Sequence, residues 1–256
     1  MTGALLLRGM MVGVLAGLLG FGFLKLVGEP PVDRAIAFET AHAEAEAKAM
    51  ADKGMPMPSR EPELVSRPVQ AGIGLFTGIM VYSAAFGGLF ALAFALANGR
   101  MADLSPRATA GLLAAAGFVA VYLVPMLKYP ANPPSIGEPE TIGARTALYF
   151  SMIALSLAAM VAAGMLRNRL FPRLDRWNAT LAAAAAYIVA MIVAVLLLPA
   201  VNEVPEDFPA VVLWQFRLAA VGGQAILWTV LGLGFGRVAE RIVSPRHGAE
   251  AKFAVY

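Results

Sequence analysis

Between Pro125 and Thr141 the chain reads PMLKYPANPPSIGEPET, with prolines at 130, 133, 134 and 139 and carboxylates at Glu138 and Glu140. Proline fixes φ and stiffens such a stretch. A rigid run of oxygen ligands is suited to stripping water from a divalent cation. The same residues also describe a capped, proline-stiffened turn, because both acids stand beside the start of an apolar run, where negative charge suits a helix N-terminus. A second group precedes it. Glu39, His42 and Glu46 are spaced i, i+3, i+7 in the alanine-rich segment DRAIAFETAHAEAEAKAMADK, so a helix there places them on one face. One imidazole and two carboxylates suit a borderline metal such as cobalt, nickel or zinc. A solvated helix face with an incidental histidine has the same pattern. Met50, Met55 and Met57 follow, but thioethers prefer softer ions. His247, the other of the two histidines, reads as a tail residue.

Arg217 is the one charge set clearly inside an apolar run, within WQFR, with Gln224 seven residues on along the same face. An intramembrane charge of this kind either faces a bundle interior, marking a pathway or a partner carboxylate, or snorkels to the interface beside Trp214. Glu203 or Glu206 is its expected counter-ion. No nucleophile elbow, phosphate-binding glycine loop or ATPase motif is present, and zero cysteines exclude disulfides and thiolate metal sites. The chain is therefore read as not an enzyme, and energy for any transport must come from a gradient or another subunit.

The elements that must hold these groups are six long apolar stretches, roughly 9–27, 69–97, 108–127, 144–166, 179–198 and 211–236. Each is about as long as the ~20 residues a helix needs to cross a bilayer. Hydrophobic residues make up 59% and charged residues 14%, well below the roughly 25% charged of a soluble domain. The expected fold is an all-α integral membrane bundle of six transmembrane helices in a single membrane domain, residues 1–256. Charges alternate from gap to gap. Arg8, Arg100, Arg107, Arg167, Arg169, Arg173, Arg176, Arg237, Arg241, Arg246 and Lys252 fall on one side, against four acids. The opposite gaps and span ends carry thirteen acids and eight bases. The positive-inside rule then places both termini in the cytoplasm and the segment Pro199–Pro209, with Glu203, Glu206 and Asp207, outside. The basic half is accounted for by topology, and no aromatic-interleaved patch points to nucleic acid. Arg8 before an apolar run also fits a signal peptide, but no small-residue cleavage site follows Val27, so an anchored first helix is expected.

The loop 28–68 is the largest polar piece. Its segment Asp33–Lys53 is expected to form a short amphipathic outer helix, lying on the membrane or the outer mouth of the bundle, followed by extended chain to Pro68. Spans one, three and five each run into a proline- and acid-rich segment (GEPPVDR, KYPANPPSIGEPET and PAVNEVPEDFP), while spans two, four and six each follow an arginine: Arg67, Arg145 and Arg217. That pattern suits three repeated helical hairpins, and equally any alternating six-span chain. Rows of small residues at Gly9/Gly13/Gly17, Gly74/Gly78 and Gly232/Gly236 predict close helix pairing.

The stretch LKYPANPPSIGEPETIGARTALYF, together with GEPPVDRAIAFE and LPAVNEVPEDFP, resembles the probable cobalt transporter subunit family CbtA over essentially the whole chain. The resemblance implies a multi-pass bacterial inner-membrane protein that imports cobalt for cobalamin biosynthesis. It also implies a small, histidine-rich, single-span partner of the CbtB type. It carries over Tyr129, Pro130, Asn132, Pro133, Glu138, Glu140 and Arg145 as motif positions, with Asn202 and Glu203 in the later loop. On this reading Glu138, Glu140, Asn202 and Glu203 bind or steer Co²⁺ in an acidic outer vestibule, Arg217 organises those carboxylates, and Glu39, His42 and Glu46 capture the ion. Cobalt is cargo here; no tightly bound cofactor is expected, and association of several copies is left open. The rival reading is a non-transporting membrane scaffold or sensor that binds a metal-delivering partner.

Overall fold

Stretches this apolar satisfy their backbone in lipid by closing every N–H and C=O within a helix, and the structure does so. The computed structural model describes residues 2–55, 64–100, 104–134 and 136–243. Met57, Arg246, His247 and Lys252 lie outside the described residues. Among those described there is no strand, and six helices are long and apolar enough to cross a membrane: α1 Thr2–Asp52, α2 Arg67–Ala97, α3 Pro106–Lys128, α4 Pro139–Leu170, α5 Arg176–Leu197 and α6 Ala210–Val243. The protein is a multi-pass membrane protein.

The helix expected over Asp33–Lys53 is present through Asp52, but no break separates it from the first span. The reason lies in a π turn at Leu24–Gly28, where the Glu29 amide reaches back five residues to the Leu24 carbonyl. A π turn inserts one residue and loosens the ladder. Pro30 and Pro31 then sit as if in the first turn of a new helix, where a missing N–H costs little. The Arg34 guanidinium donates to the Pro30 carbonyl one turn back (3.2 Å). Further π turns occur at Gln70–Gly74, Phe118–Leu123 and Leu231–Phe235. Lys25, within the first of them, donates to the Ala71 carbonyl within the second (2.9 Å).

Contacts divide the chain into two units. The first comprises residues 1–114, 132–136 and 205–256. Here α1 and α2 cross at their glycines. A Cβ on Gly9 would overlap the Gly87 carbonyl, and one on Gly13 would overlap the Ser83 carbonyl. The row at Gly9 and Gly13 therefore pairs helices as expected, but its counterpart is Ser83–Gly87; Gly78 faces open space. The helix α6 packs alongside through an aromatic stack in which Phe86, Phe90 and Phe94 of α2 meet Trp228 and Phe235 edge to face at 5.2–6.4 Å. Gly232 and Gly236 lie against Ala114 and Ala110 of α3. The extension of α1 rests on the start of α6 and the segment before it, with Phe38 against Phe208 (5.1 Å) and Arg34 donating to Gln215 (2.6 Å).

The second unit comprises residues 115–131 and 137–204. Its core joins α4 and α5 through Met152, Ala163, Ala183, Tyr187, Met191 and Ala194, with Val119 and Val124 of α3 against them. One polar pair is buried in it, Ser156 and Tyr187, whose hydroxyls are 2.7 Å apart. Asp175 caps α5 by accepting from the Asn178 amide (2.9 Å).

Candidate functional site

The three arginines that follow the polar segments each hold a piece of those segments. Arg67, at the start of α2, pairs with Glu29 and with Asp33 (2.8 Å) of GEPPVDR. Its side chain is 26% exposed and that of Glu29 11%, so the pair is partly shielded from solvent. Arg217, two turns into α6, donates to Asn132 Oδ1 (3.0 Å) in YPANPP and is partly buried. Of its two expected counter-ions, Glu203 and Glu206, the Glu203 carboxylate is committed to another cation.

That cation is Arg145, one turn into α4. Its Nε lies 3.2 Å from Glu203 Oε2, and its Nη2 donates to the Glu138 carbonyl (3.1 Å). The same carboxylate accepts from the Glu138 amide through Oε2 (3.0 Å) and from the Thr141 hydroxyl through Oε1 (2.6 Å). Glu203 thus ties the loop after α5 to the Glu138–Thr141 turn that starts α4. The Thr141 hydroxyl bond above all, then the Glu138 amide and the Arg145 charge, hold its carboxyl below the usual carboxylate range against the opposing effect of burial. Gly137 completes the knot. It adopts φ +112°, and a Cβ there would collide with the Arg145 guanidinium and the Glu203 carboxylate, so only glycine fits.

The neighbouring anchors lie in the same unit. Tyr129 OH donates to the Pro199 carbonyl (2.9 Å) and Lys128 Nζ to the Val195 carbonyl (2.9 Å), so the end of α3 holds the end of α5. Lysine at that position also suits the negative end of the α5 dipole. Pro133 is fully buried in the first unit, and Pro130 is partly buried.

Glu138 gives the knot only its backbone. Its carboxylate and those of Glu140 and the Asn202 amide are exposed, and among the described residues they have no hydrogen-bond or ion-pair partner. Glu39, His42 and Glu46 also lie on an exposed face of α1. The His42 imidazole stacks on Phe38 (5.2 Å) and its Nδ1 stands 3.5 Å from Asp207 Oδ2, an ion pair when the ring is protonated. Among the described residues, no three His, Cys, Asp or Glu side chains converge to hold a metal ion. Sequence reasoning missed Gly137 and Thr141 as site residues. The usable signal was a glycine and a threonine flanking two acids between prolines, where a turn needs a positive φ and a capping hydroxyl.

Comparison with curated proteins and with solved structures gives no match. The family model described as "Probable cobalt transporter subunit (CbtA)" matches residues 2–240. That span takes in all three arginine-held segments and all six helices but for the last three residues of α6, and the chain belongs to this family of probable cobalt transporter subunits.

Proposed function

We propose that the chain is the permease subunit of a bacterial inner-membrane system that moves Co²⁺ inward, supplying cobalamin biosynthesis. Membership of a transporter-subunit family supports this, as do six helices of membrane-spanning length. The observation that carries it to particular residues is the Glu203 knot. Its hydrogen bonds and ion pair fix the backbone of a proline-flanked turn and leave the Glu138 and Glu140 carboxylates projecting into solvent beside it. Oxygen ligands on a fixed turn exchange readily with the water of a hydrated divalent cation. Glu138 and Glu140 then receive the ion, with Asn202 adjacent in sequence to Glu203 as a further oxygen ligand. Glu203 itself steers through charge and holds the turn.

On the positive-inside rule this turn faces the exterior and both termini face the cytoplasm. Glu39, His42 and Glu46 capture cobalt at an exposed helix face, which suits transfer from a small, histidine-rich single-span partner of the CbtB type. Imidazole ligands supplied by such a partner would complete a carboxylate set appropriate to Co²⁺.

The test is a double substitution. Glu138→Gln with Glu140→Gln should lower cobalt accumulation several-fold while the amount of protein in the membrane stays constant. Both side chains are exposed and have no partner among the described residues, so neutralising them costs the fold little beyond their charge at the helix N-terminus. Unchanged accumulation would remove these two residues from the ion's path.

A further inference from the structure

One groove far along the chain from the acidic segments has the chemistry of a ligand site. It lies in the first unit between the start of α1 and the end of α6 and encloses about 440 Å³. On one side α1 contributes Arg8, Met11, Val12 and Leu15; on the other α6 contributes Val238, Arg241 and Ile242. The first set is spaced i, i+3, i+4, i+7 and the second i, i+3, i+4, so each helix presents one arginine and its apolar side chains on a single face. Packing fixes their relative height, since a Cβ on Gly234 would lie 3.2 Å from Val12 Cγ1. From that level Arg8 is four residues and Arg241 seven residues toward the same end. At the helical rise these are about 6 Å and 10 Å, so the two arginines stand within about one turn of each other.

Neither guanidinium has a hydrogen-bond or ion-pair partner among the described residues. The acid next in sequence to Arg241, Glu240, faces Arg107 instead (3.9 Å). Two uncompensated cations at the rim of an apolar groove call for an anion that brings its own apolar portion. Guanidinium forks match phosphate oxygens, while the methionine, valine and isoleucine walls offer nothing to a fully hydrated ion. Met11 is 62% exposed, so the wall is open to lipid. Basic pockets between membrane helices hold lipid head groups by this combination.

We propose that this groove binds one anionic phospholipid, its phosphodiester between Arg8 and Arg241 and an acyl chain along Met11, Val12, Val238 and Ile242. The site stands independently of the transport reading. It is tested on the purified full-length chain by native mass spectrometry after exchange into equal amounts of phosphatidylglycerol and phosphatidylcholine. The expected result is preferential retention of phosphatidylglycerol, reduced about tenfold by Arg8→Gln with Arg241→Gln. Arg8→Lys with Arg241→Lys should keep part of it, and Arg173→Gln with Arg176→Gln should leave it unchanged. Excess inorganic phosphate should not displace the lipid.

Equal retention of the two lipids, retention unaffected by the glutamine pair, or displacement by phosphate would each overturn the proposal. So would phosphatidylglycerol that binds only after residues 244–256 are removed, which would make the chain's own tail the occupant. If the glutamine pair is not monodisperse, Arg241→Gln alone decides, with the expected loss set at about fivefold.

Discussion

Cells that depend on this chain for cobalt should accumulate at least about tenfold less of it when Glu203 is replaced by Gln, a loss typical of removing a group that orients metal ligands. The amide can keep its oxygen for the Thr141 hydroxyl (2.6 Å), which turns its N–H₂ toward the Glu138 amide (3.0 Å) and the Arg145 guanidinium (3.2 Å), or keep it for those two and turn the N–H₂ toward Thr141; either way the negative charge facing Arg145 is lost. The turn bearing Glu138 and Glu140 then loses the charge that fixes it. Arg145→Gln should act in the same direction. Exchanging the charges, Glu203→Arg with Arg145→Glu, should fail to restore uptake, because Thr141 and the Glu138 amide would face a donor. Restoration by the exchange would show that the ion pair alone matters and the hydrogen bonds do not. The pH dependence has a definite sign. Glu203 is held below the ordinary carboxylate range, mainly by Thr141. Its folded value thus lies below its unfolded one, so its contribution is fully present above the unfolded value near about 4.3 and lost as pH falls through the lower folded value. Protection of the Glu138 and Thr141 amides from hydrogen exchange should therefore be constant between about pH 5 and 8 and fade only in more acidic solution.

Gly13→Leu should prevent recovery of a monodisperse protein from detergent extracts, while Gly22→Ala on the same helix should be tolerated. At Gly13 even a Cβ overlaps the Ser83 carbonyl, and backbone cannot rotate away as a flexible side chain can. The reciprocal position behaves alike, since a Cβ on Gly87 overlaps the Gly9 carbonyl. Leucine at 13 must force α1 and α2 apart along the crossing where their backbones touch, at a cost of roughly 3 kcal/mol or more. Gly22 has open space around it, so its methyl meets nothing and adds helix propensity. A fluorescence-detected size-exclusion profile separates the two variants. Equal profiles would mean that the α1–α2 crossing does not hold the first unit together.

The reach of the sequence can be judged residue by residue. The six spans were legible because length and hydropathy fix them: expected limits such as 69–97 and 179–198 fall within three residues of Arg67–Ala97 and Arg176–Leu197. The glycines at 9 and 13 were legible as a contact row, since small residues in lipid have few other uses. Their partners were not, because Gly74/Gly78 has the same spacing as a true contact row yet Gly78 meets nothing. The continuous helix through Pro30 and Pro31 was also hidden. A proline pair ordinarily reads as a break, and the π turn that absorbs it has no hydropathic signature. The site was half visible. Proline spacing and paired acids marked Glu138 and Glu140, but the carboxylate that fixes their turn is distant in sequence: Glu203 meets Thr141 across 62 positions. Pairings at that separation come from packing, and a single chain's composition carries no trace of them.

The central claim is that the chain moves cobalt, and cellular cobalt content measured by elemental analysis tests it most directly. Cells without their own cobalt importers would express the chain alone or with a histidine-rich single-span partner, with nickel and zinc followed in parallel. The expected result is a cobalt-selective rise that is largest with the partner and abolished by Glu203→Gln. No rise, with the chain confirmed in the membrane and the partner present, would contradict it and leave a scaffold that binds a metal-delivering protein without passing the ion.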